Sequence, residues 1–537
     1  MSAALVRPAA GATQKAGSAR RGLPFTPTGG VIASAAALAL GLRVYQLMRP
    51  DMLLGVAWYD DGMYFASALR LVNGVLPYRD FYFVQPPGLP LLLVPAALLA
   101  KVAGTAWGMA TGRILTLLVS TACVVLGGLL VRHRGLLAVI VTSGLLAVYP
   151  ASVTDSHTIF IEPWVTLFCL AGALAVFDGD RLAGGRRLAW GGVTFGFACA
   201  IESWAIFPVL VVVVLGLPRR KTAASFAGGV AAGFLVPVLP FAMLAPRRFY
   251  QSVVIAALVR YRQPRVSAWT RLQDMIGLTD LRNPGHLTLL VAAVALTGFV
   301  VAAAAAASLI DRRPPPQLEW FGAATAALVV AAFMWPPGFF FHFPAFLAPF
   351  LALAIALPAS RLLTVSLPLS CRTWAGHWPR RAAAGLAGLA LALFAVIQAG
   401  SETSLAPRVS PRALAAVRQA VPAGACVLTD QVSFTIAADR FFSTVPGCPQ
   451  MIDPLVTDYA LSSGRDGLNG AGRVPAVAVI MRNAFDHAQY VWLSGTYNRR
   501  RIAWTPALRA YFRRNFAWVL TDNHGDALYR RKGPHLS

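Results

Sequence analysis

Long apolar runs without a single charge constrain this chain more than any other feature. Leu287–Ile310 and Phe321–Trp335 contain no Asp, Glu, Lys or Arg. In water such surfaces aggregate. In hydrocarbon they are what a crossing helix requires, because its backbone polar groups are satisfied within the segment. Only 13% of the 537 residues are charged and 57% are hydrophobic, against roughly a quarter charged in average soluble domains. The chain reads as an α-helical polytopic membrane protein.

Net charge is +25, from 47 Lys+Arg against 22 Asp+Glu. In a soluble protein this would suggest nucleic acid. Here the basic residues cluster in short loops between apolar runs, the mark of cytoplasmic retention, and no zinc-finger, P-loop or dinucleotide-fold spacing occurs. Nucleic acid is therefore not an expected partner; membrane lipid is.

After a basic, Ala- and Gly-rich tail at 1–22, read as disordered and cytoplasmic, apolar runs fall near 23–42, 113–131, 135–150, 161–178, 189–201, 203–217, 223–245, 286–309, 320–335, 342–358 and 382–399. That is about eleven spans of the length a bilayer demands. The loops Arg132–Arg134, Arg181–Arg187, Arg219–Lys221, Arg312–Arg313 and Arg361–Arg381 are basic and alternate with loops that are mostly not. The positive-inside rule places the first set, with the N-terminus, in the cytoplasm. Pro87–Val102 is nearly long enough to cross, but if it did, all five basic loops would face outward. With Pro90 and Pro95 inside it, it reads as a helix on the outer surface.

The transmembrane region is thus 23–399, with a first outer loop at 43–112, and residues 400–537 form a small extracytoplasmic α/β domain. Helices are expected there over Pro411–Ala420 and Pro506–Asn515, and strands near Cys426–Thr429, Ala476–Ile480 and Trp518–Leu520. Cys123, Cys169 and Cys199 lie in apolar runs, where a thiol behaves as a small hydrophobe. Cys426 and Cys448 can pair if their domain is exported.

The polar outliers of the apolar region fall on the outer side. Trp58-Tyr59-Asp60-Asp61-Gly62-Met63-Tyr64 places two adjacent carboxylates just beyond a span, followed by Pro77-Tyr78-Arg79-Asp80. Such carboxylates need a cation, a proton or a hydroxyl as partner, although either one could simply cap a helix over Met63–Val72. Glu162, at the start of an apolar helix, and His157 just before it share that face. Glu162 alone is explained by the helix dipole; carboxylates gathered from separate loops could instead share a divalent metal, Mg or Mn, or hold an acceptor hydroxyl. Arg247–Gly285, with Arg260, Arg262, Arg265 and Arg271, is basic on the wrong side and calls for an anionic headgroup, specific or not. His342 enters a late span, where a lone histidine often just donates to a carbonyl.

Together these segments resemble the GT-C glycosyltransferases, in particular the protein-mannosyltransferase and aminoarabinose-transferase-like branch. The likeness covers about residues 25–360: Asp60-Asp61-Gly62-x-Tyr64, Asn73-Gly74, Pro77-Tyr78-Arg79-Asp80, Pro86-Pro87-Gly88, an arginine at the second span (Arg113), Glu162-Pro163 and His342. The resemblance implies a GT-C fold in a bacterial plasma membrane, a polyprenyl-phosphate sugar donor, a glycan, lipid or protein acceptor, and inverting transfer on the outer face. Carried over, Asp60 is the general base and Asp61 its neighbour or substitute; Glu162 orients the acceptor or holds a metal, with Asp60 and His342 as further metal candidates. Tyr64, Tyr78, Arg79, Asp80 and His157 fall to substrate binding, and Arg260, Arg262, Arg265 and His342 to the donor phosphate. Where relatives often carry a lysine mid-chain, this sequence has Glu202. A lipid transporter or flippase, or an inactive assembly protein, is the competing reading; clustering on one face and the absence of an inverted repeat favour the transferase.

Overall fold

The computed structural model describes residues 26–259, 265–277, 314–336, 338–362, 378–401, 405–462, 471–495 and 501–533, with a few isolated positions besides. Of the expected spans, the one near 286–309 lies outside the described residues, as do the N-terminal tail, Arg260 and Arg262. Helices occupy the other ten: α1 (Pro27–Leu47), α5 (Thr105–Val131), α6 (Leu136–Val148), α8 (Glu162–Val176), α9 (Gly185–Ile201), α10 (Ile206–Gly216), α11 (Arg220–Leu244), Gln317–Met334, Pro344–Leu362 and Trp378–Ser401. Six described helices are long and apolar enough to cross a membrane by themselves. A seventh span appears if the bent pair Leu136–Val148 and Pro150–His157 counts as one. The chain is a multi-pass membrane protein, with fewer full-length spans among the described residues than the apolar runs suggest, because α8, α9 and α10 are each under 18 residues.

Two sequence devices hold the bundle together. Helices α9 and α11 meet through Gly192, Gly196, Gly229 and Gly233, each so close that a Cβ would stand 2.0–2.4 Å from a carbonyl oxygen of the partner helix. Without side chains the backbones approach to dispersion contact, which is what drives association where lipid supplies no hydrophobic gain. The second device repairs a break. Pro150 cannot donate to the Leu146 carbonyl, and the chain bends by 55° after α6. The fully buried Arg43 of α1 takes the donor's place, with Nη2 3.2 Å from Leu146 O and Nη1 3.1 Å from Ala147 O.

The Pro-rich segment forms α3 (Gly88–Leu92) and α4 (Val94–Ala103). Ten residues rise about 15 Å, half a bilayer core, so neither crosses. Upstream of them α2 (Tyr59–Leu71) lies beside the C-terminal domain.

That domain carries a four-stranded sheet, ordered β1 (Val427–Thr429), β2 (Tyr490–Leu493), β4 (Ala527–Arg531), β3 (Phe516–Thr521), with β1–β2 parallel and the other pairs antiparallel. Helices Pro411–Ala420 and Pro506–Asn515 form as expected. The expected strand at Ala476–Ile480 is instead part of the helix Pro475–His487. Its apolar run is short, but Val477, Met481, Ala484 and Phe485 repeat at helical spacing and are all buried. Cys426 and Cys448 are disulfide-bonded. The domain is fastened to the bundle by Asp439, whose Oδ1 accepts from Ala106 N (2.9 Å) and Thr105 Oγ1 (3.2 Å) and so caps the start of α5.

Candidate active site

Helix α2 begins at Tyr59, with Trp58 as its N-cap and no side-chain capping bond. Asp60 and Asp61 therefore do not cap a helix at Met63; both lie inside the first turn, where the helix dipole favours carboxylates. One step along the helix turns them about 100° apart, and that rotation gives them different environments. Asp61 is fully buried. Its Oδ2 accepts from Arg113 Nε at 3.0 Å and, more closely, from Nη2, and its Oδ1 accepts from Ile159 N at 3.0 Å. Arg113, also fully buried, donates Nη1 to Met52 O (2.9 Å) and Leu53 O (2.7 Å). This pair ties α2, α5 and the segment before α8 together, and both Asp61 oxygens are occupied. Asp60 is part-exposed and makes no hydrogen bond or ion pair with any described residue.

The C-terminal domain closes over this turn. A Cβ on Gly62 would meet the Ser433 backbone at 2.4 Å, and Ser433 Oγ donates to Trp58 O at 3.3 Å. Tyr59 donates its hydroxyl to Asp453 Oδ1, and the Arg501 guanidinium lies 3.8 Å from the centre of the Tyr59 ring. Asp453 also accepts from Leu455 N (2.8 Å) and Val456 N (3.2 Å), capping the helix Pro454–Ser462. Burial, with Asp453 adding to it, raises the Tyr59 hydroxyl well above its ordinary value. Burial likewise raises the carboxyls of Asp453 and Asp458. Asp458 is 1% exposed and neither of its oxygens has a partner.

A second polar centre sits at the start of α8. Glu162 is fully buried, its Oε1 lies 2.7 Å from His342 Nδ1, and its Oε2 has no partner. His342 stacks on Phe160 at 4.8 Å. The Glu162–His342 contact joins residues 180 positions apart in sequence.

The remaining candidates fall into place as follows. Tyr64 is buried, with its hydroxyl 3.4 Å from Gln85 Nε2. Tyr78 is fully buried at φ 66°, donates to Gln85 O at 2.6 Å and packs edge-on against Phe249. Arg79 and Asp80 bind each other at 2.7 Å, and Asp80 also accepts from Leu76 N; the Arg79 guanidinium lowers the Asp80 carboxyl below its usual range. These three shape their loop, which accounts for them without a substrate. His157 is buried in the 3-10 turn Asp155–His157 against α5. Arg265 is exposed, as are Arg247 and Arg248. Glu202 accepts from Ser203 N at 2.8 Å and so caps the next turn. Among the described residues no group of three or more His, Cys, Asp or Glu side chains is placed to hold a metal ion. Glu162 and His342 meet, and Asp60 makes no hydrogen bond or ion pair with either.

Sequence reasoning missed Tyr59, Asp453 and Arg501. Asp453-Pro454 carries a helix-start signal, but nothing in the sequence says which bundle residue it faces.

In overall fold the chain is similar to solved polytopic membrane proteins. ArnT from Cupriavidus metallidurans in the apo state superposes with a TM-score of 0.58 at 16% identity, over 95% of this chain and 100% of that one. The same protein bound to undecaprenyl phosphate gives 0.58 at 16%, over 94% and 99%. The apo oligosaccharyltransferase of Archaeoglobus fulgidus gives 0.53 at 13%, over 94% of this chain and 74% of that one. No protein-family model and no curated protein matches the sequence.

Proposed function

We propose that this chain is a membrane glycosyltransferase that moves a sugar from a polyprenyl-phosphate donor to an acceptor hydroxyl, with inversion, on the extracytoplasmic face of a bacterial plasma membrane. The observation that carries the reading is the contrast inside one helical turn: Asp61 is locked to Arg113 while Asp60, beside it, has no partner. An unengaged carboxylate on a rigid turn between a bundle and a soluble domain suits a general base.

The acceptor oxygen attacks the anomeric carbon from the face opposite the phosphate. The bond from that carbon to the phosphate oxygen breaks, and the phosphate leaves with the bonding pair. Asp60 takes the acceptor proton as the new glycosidic bond forms. Polyprenyl phosphate is a good leaving group once its charge is balanced, and the exposed Arg247, Arg248 and Arg265 are cations available for that. Glu162, held by His342, keeps Oε2 for a substrate hydroxyl. ArnT binding undecaprenyl phosphate in this fold supports the donor lipid, and the Cys426–Cys448 disulfide supports an exported C-terminal domain. The acceptor class is a glycan, lipid or protein of the cell envelope.

The test is transfer of radiolabelled sugar from polyprenyl-phosphate donors in membranes carrying wild type or Asp60→Asn. The expected result is incorporation by wild type and its loss in the variant at equal protein level. No incorporation from any donor would overturn the reading; activity surviving Asp60→Asn would move the base elsewhere.

A further inference from the structure

The two acidic centres are joined by aromatic rings. Trp58, two residues before Asp60, lies 4.6 Å from Phe341 and 6.4 Å from Phe160, ring centre to ring centre. Phe160 meets Phe341 edge-on at 5.9 Å and stacks on His342, which holds Glu162. A cluster of rings alone is ordinary core. Two features set this one apart. Trp58 and Phe341 are part-exposed although they come from segments nearly 300 positions apart. And a polar atom is left without a partner at each end of the cluster: the indole Nε1 of Trp58 and Oε2 of Glu162. A buried donor and a buried acceptor left unmet are costly, and native structures keep few of them without a ligand or water to satisfy them.

We propose that Trp58 and Phe341, backed by the buried ring of Phe160, form the platform for the pyranose ring of the donor, with the Trp58 N–H and Glu162 Oε2 meeting its hydroxyls. A pyranose presents a face of C–H groups flanked by an edge of hydroxyls. Apolar rings bordered by one donor and one acceptor match both surfaces. The platform directly precedes the turn that carries Asp60, so a ring seated there lies next to the base. This inference rests on the glycosyltransferase reading and assigns to Trp58 a part in sugar recognition, separate from lipid recognition.

The experiment uses the full-length protein in detergent and compares two ligands, a polyprenyl-phosphate sugar that wild type consumes and the same polyprenyl phosphate without sugar. Trp58→Ala is expected to raise the KM for the sugar donor about tenfold while the Kd for the sugar-free phosphate stays at the wild-type value. Trp58→Phe keeps a ring but no N–H and is expected to recover most of that loss. Equal weakening of both ligands would show that Trp58 only shapes the fold and would overturn the platform. An unchanged KM in Trp58→Ala would overturn it too, leaving Nε1 as an atom met by structural water. If wild type transfers from no donor, it is the enzyme reading that fails, and that outcome is visible before any variant is made.

Discussion

The two ends of helix α8 treat charge in opposite ways. Fifteen residues, about 22 Å of helix, separate Glu162 from Phe177. Past the Phe177 end, ionic groups from two turns and two helices satisfy one another. Asp180 accepts from Arg134 Nε at 2.7 Å and lies 2.9 Å from His133 Nε2. Glu319 accepts from Arg134 Nη2 at 3.1 Å and from Arg361 Nε at 3.0 Å. At the Glu162 end, one ion pair, Asp61–Arg113, is complete, while Asp60, Asp458 and one oxygen of Glu162 have no partner. A network closed on itself contributes to the fold. Under the proposed function, Asp60 and Glu162, open at this end, are the carboxylates left for a substrate.

Four measurements can break or sharpen this contrast. The largest expected effect is on activity: Asp60→Asn should lower transfer by about 10²–10⁴-fold, the range for a lost general base, with unchanged protein yield and melting temperature. Asp61→Asn should do the reverse in kind. It strands Arg113 as a buried unpaired charge at a cost of about 3–5 kcal/mol, so thermal unfolding of purified protein should fall sharply; an Asp61→Asn protein as stable as wild type would dissolve the distinction between the two neighbours.

At the other end, Glu319→Gln should weaken two charge-assisted bonds and cost about 1–3 kcal/mol of stability, with the donor KM unchanged. A KM shift there would mean that the two ends communicate.

The smallest effect concerns Asp458. Burial raises its folded-state carboxyl well above the ordinary value. The unfolded chain therefore releases this proton first, and stability falls as pH rises from the ordinary carboxylate range toward the raised folded value. Asp458→Asn should flatten that slope and raise the melting temperature at neutral pH; an unaltered pH profile would show that Asp458 is not held protonated.

Much of the fold was legible because membranes leave few choices. Apolar runs announce spanning helices, and each run that falls among the described residues is helical. Prolines 90 and 95 marked a segment unable to cross. The exception at Ala476–Ile480 came from reading five apolar residues as a strand, when the buried positions continued at helical spacing through Phe485. For the site, adjacency in sequence identified Asp60-Asp61 as the unusual feature, and the structure gives them different surroundings through a rotation that one-residue spacing on a helix enforces. Tyr59, by contrast, looked like any loop aromatic until Asp453 and Arg501 appeared against it.

By itself the sequence determined that the chain lives in a membrane, roughly where its membrane helices lie, and which polar residues are expensive enough to need a reason. These are one-dimensional properties: hydrophobic length, charge-free runs and proline position act through the solvent and the local backbone. Only the tertiary structure decided which carboxylate is engaged and which is open, that Glu162 meets His342, and that the C-terminal domain closes over the first turn of α2. Those outcomes depend on contacts between residues up to 394 positions apart, and local propensity carries no information about what packing brings together.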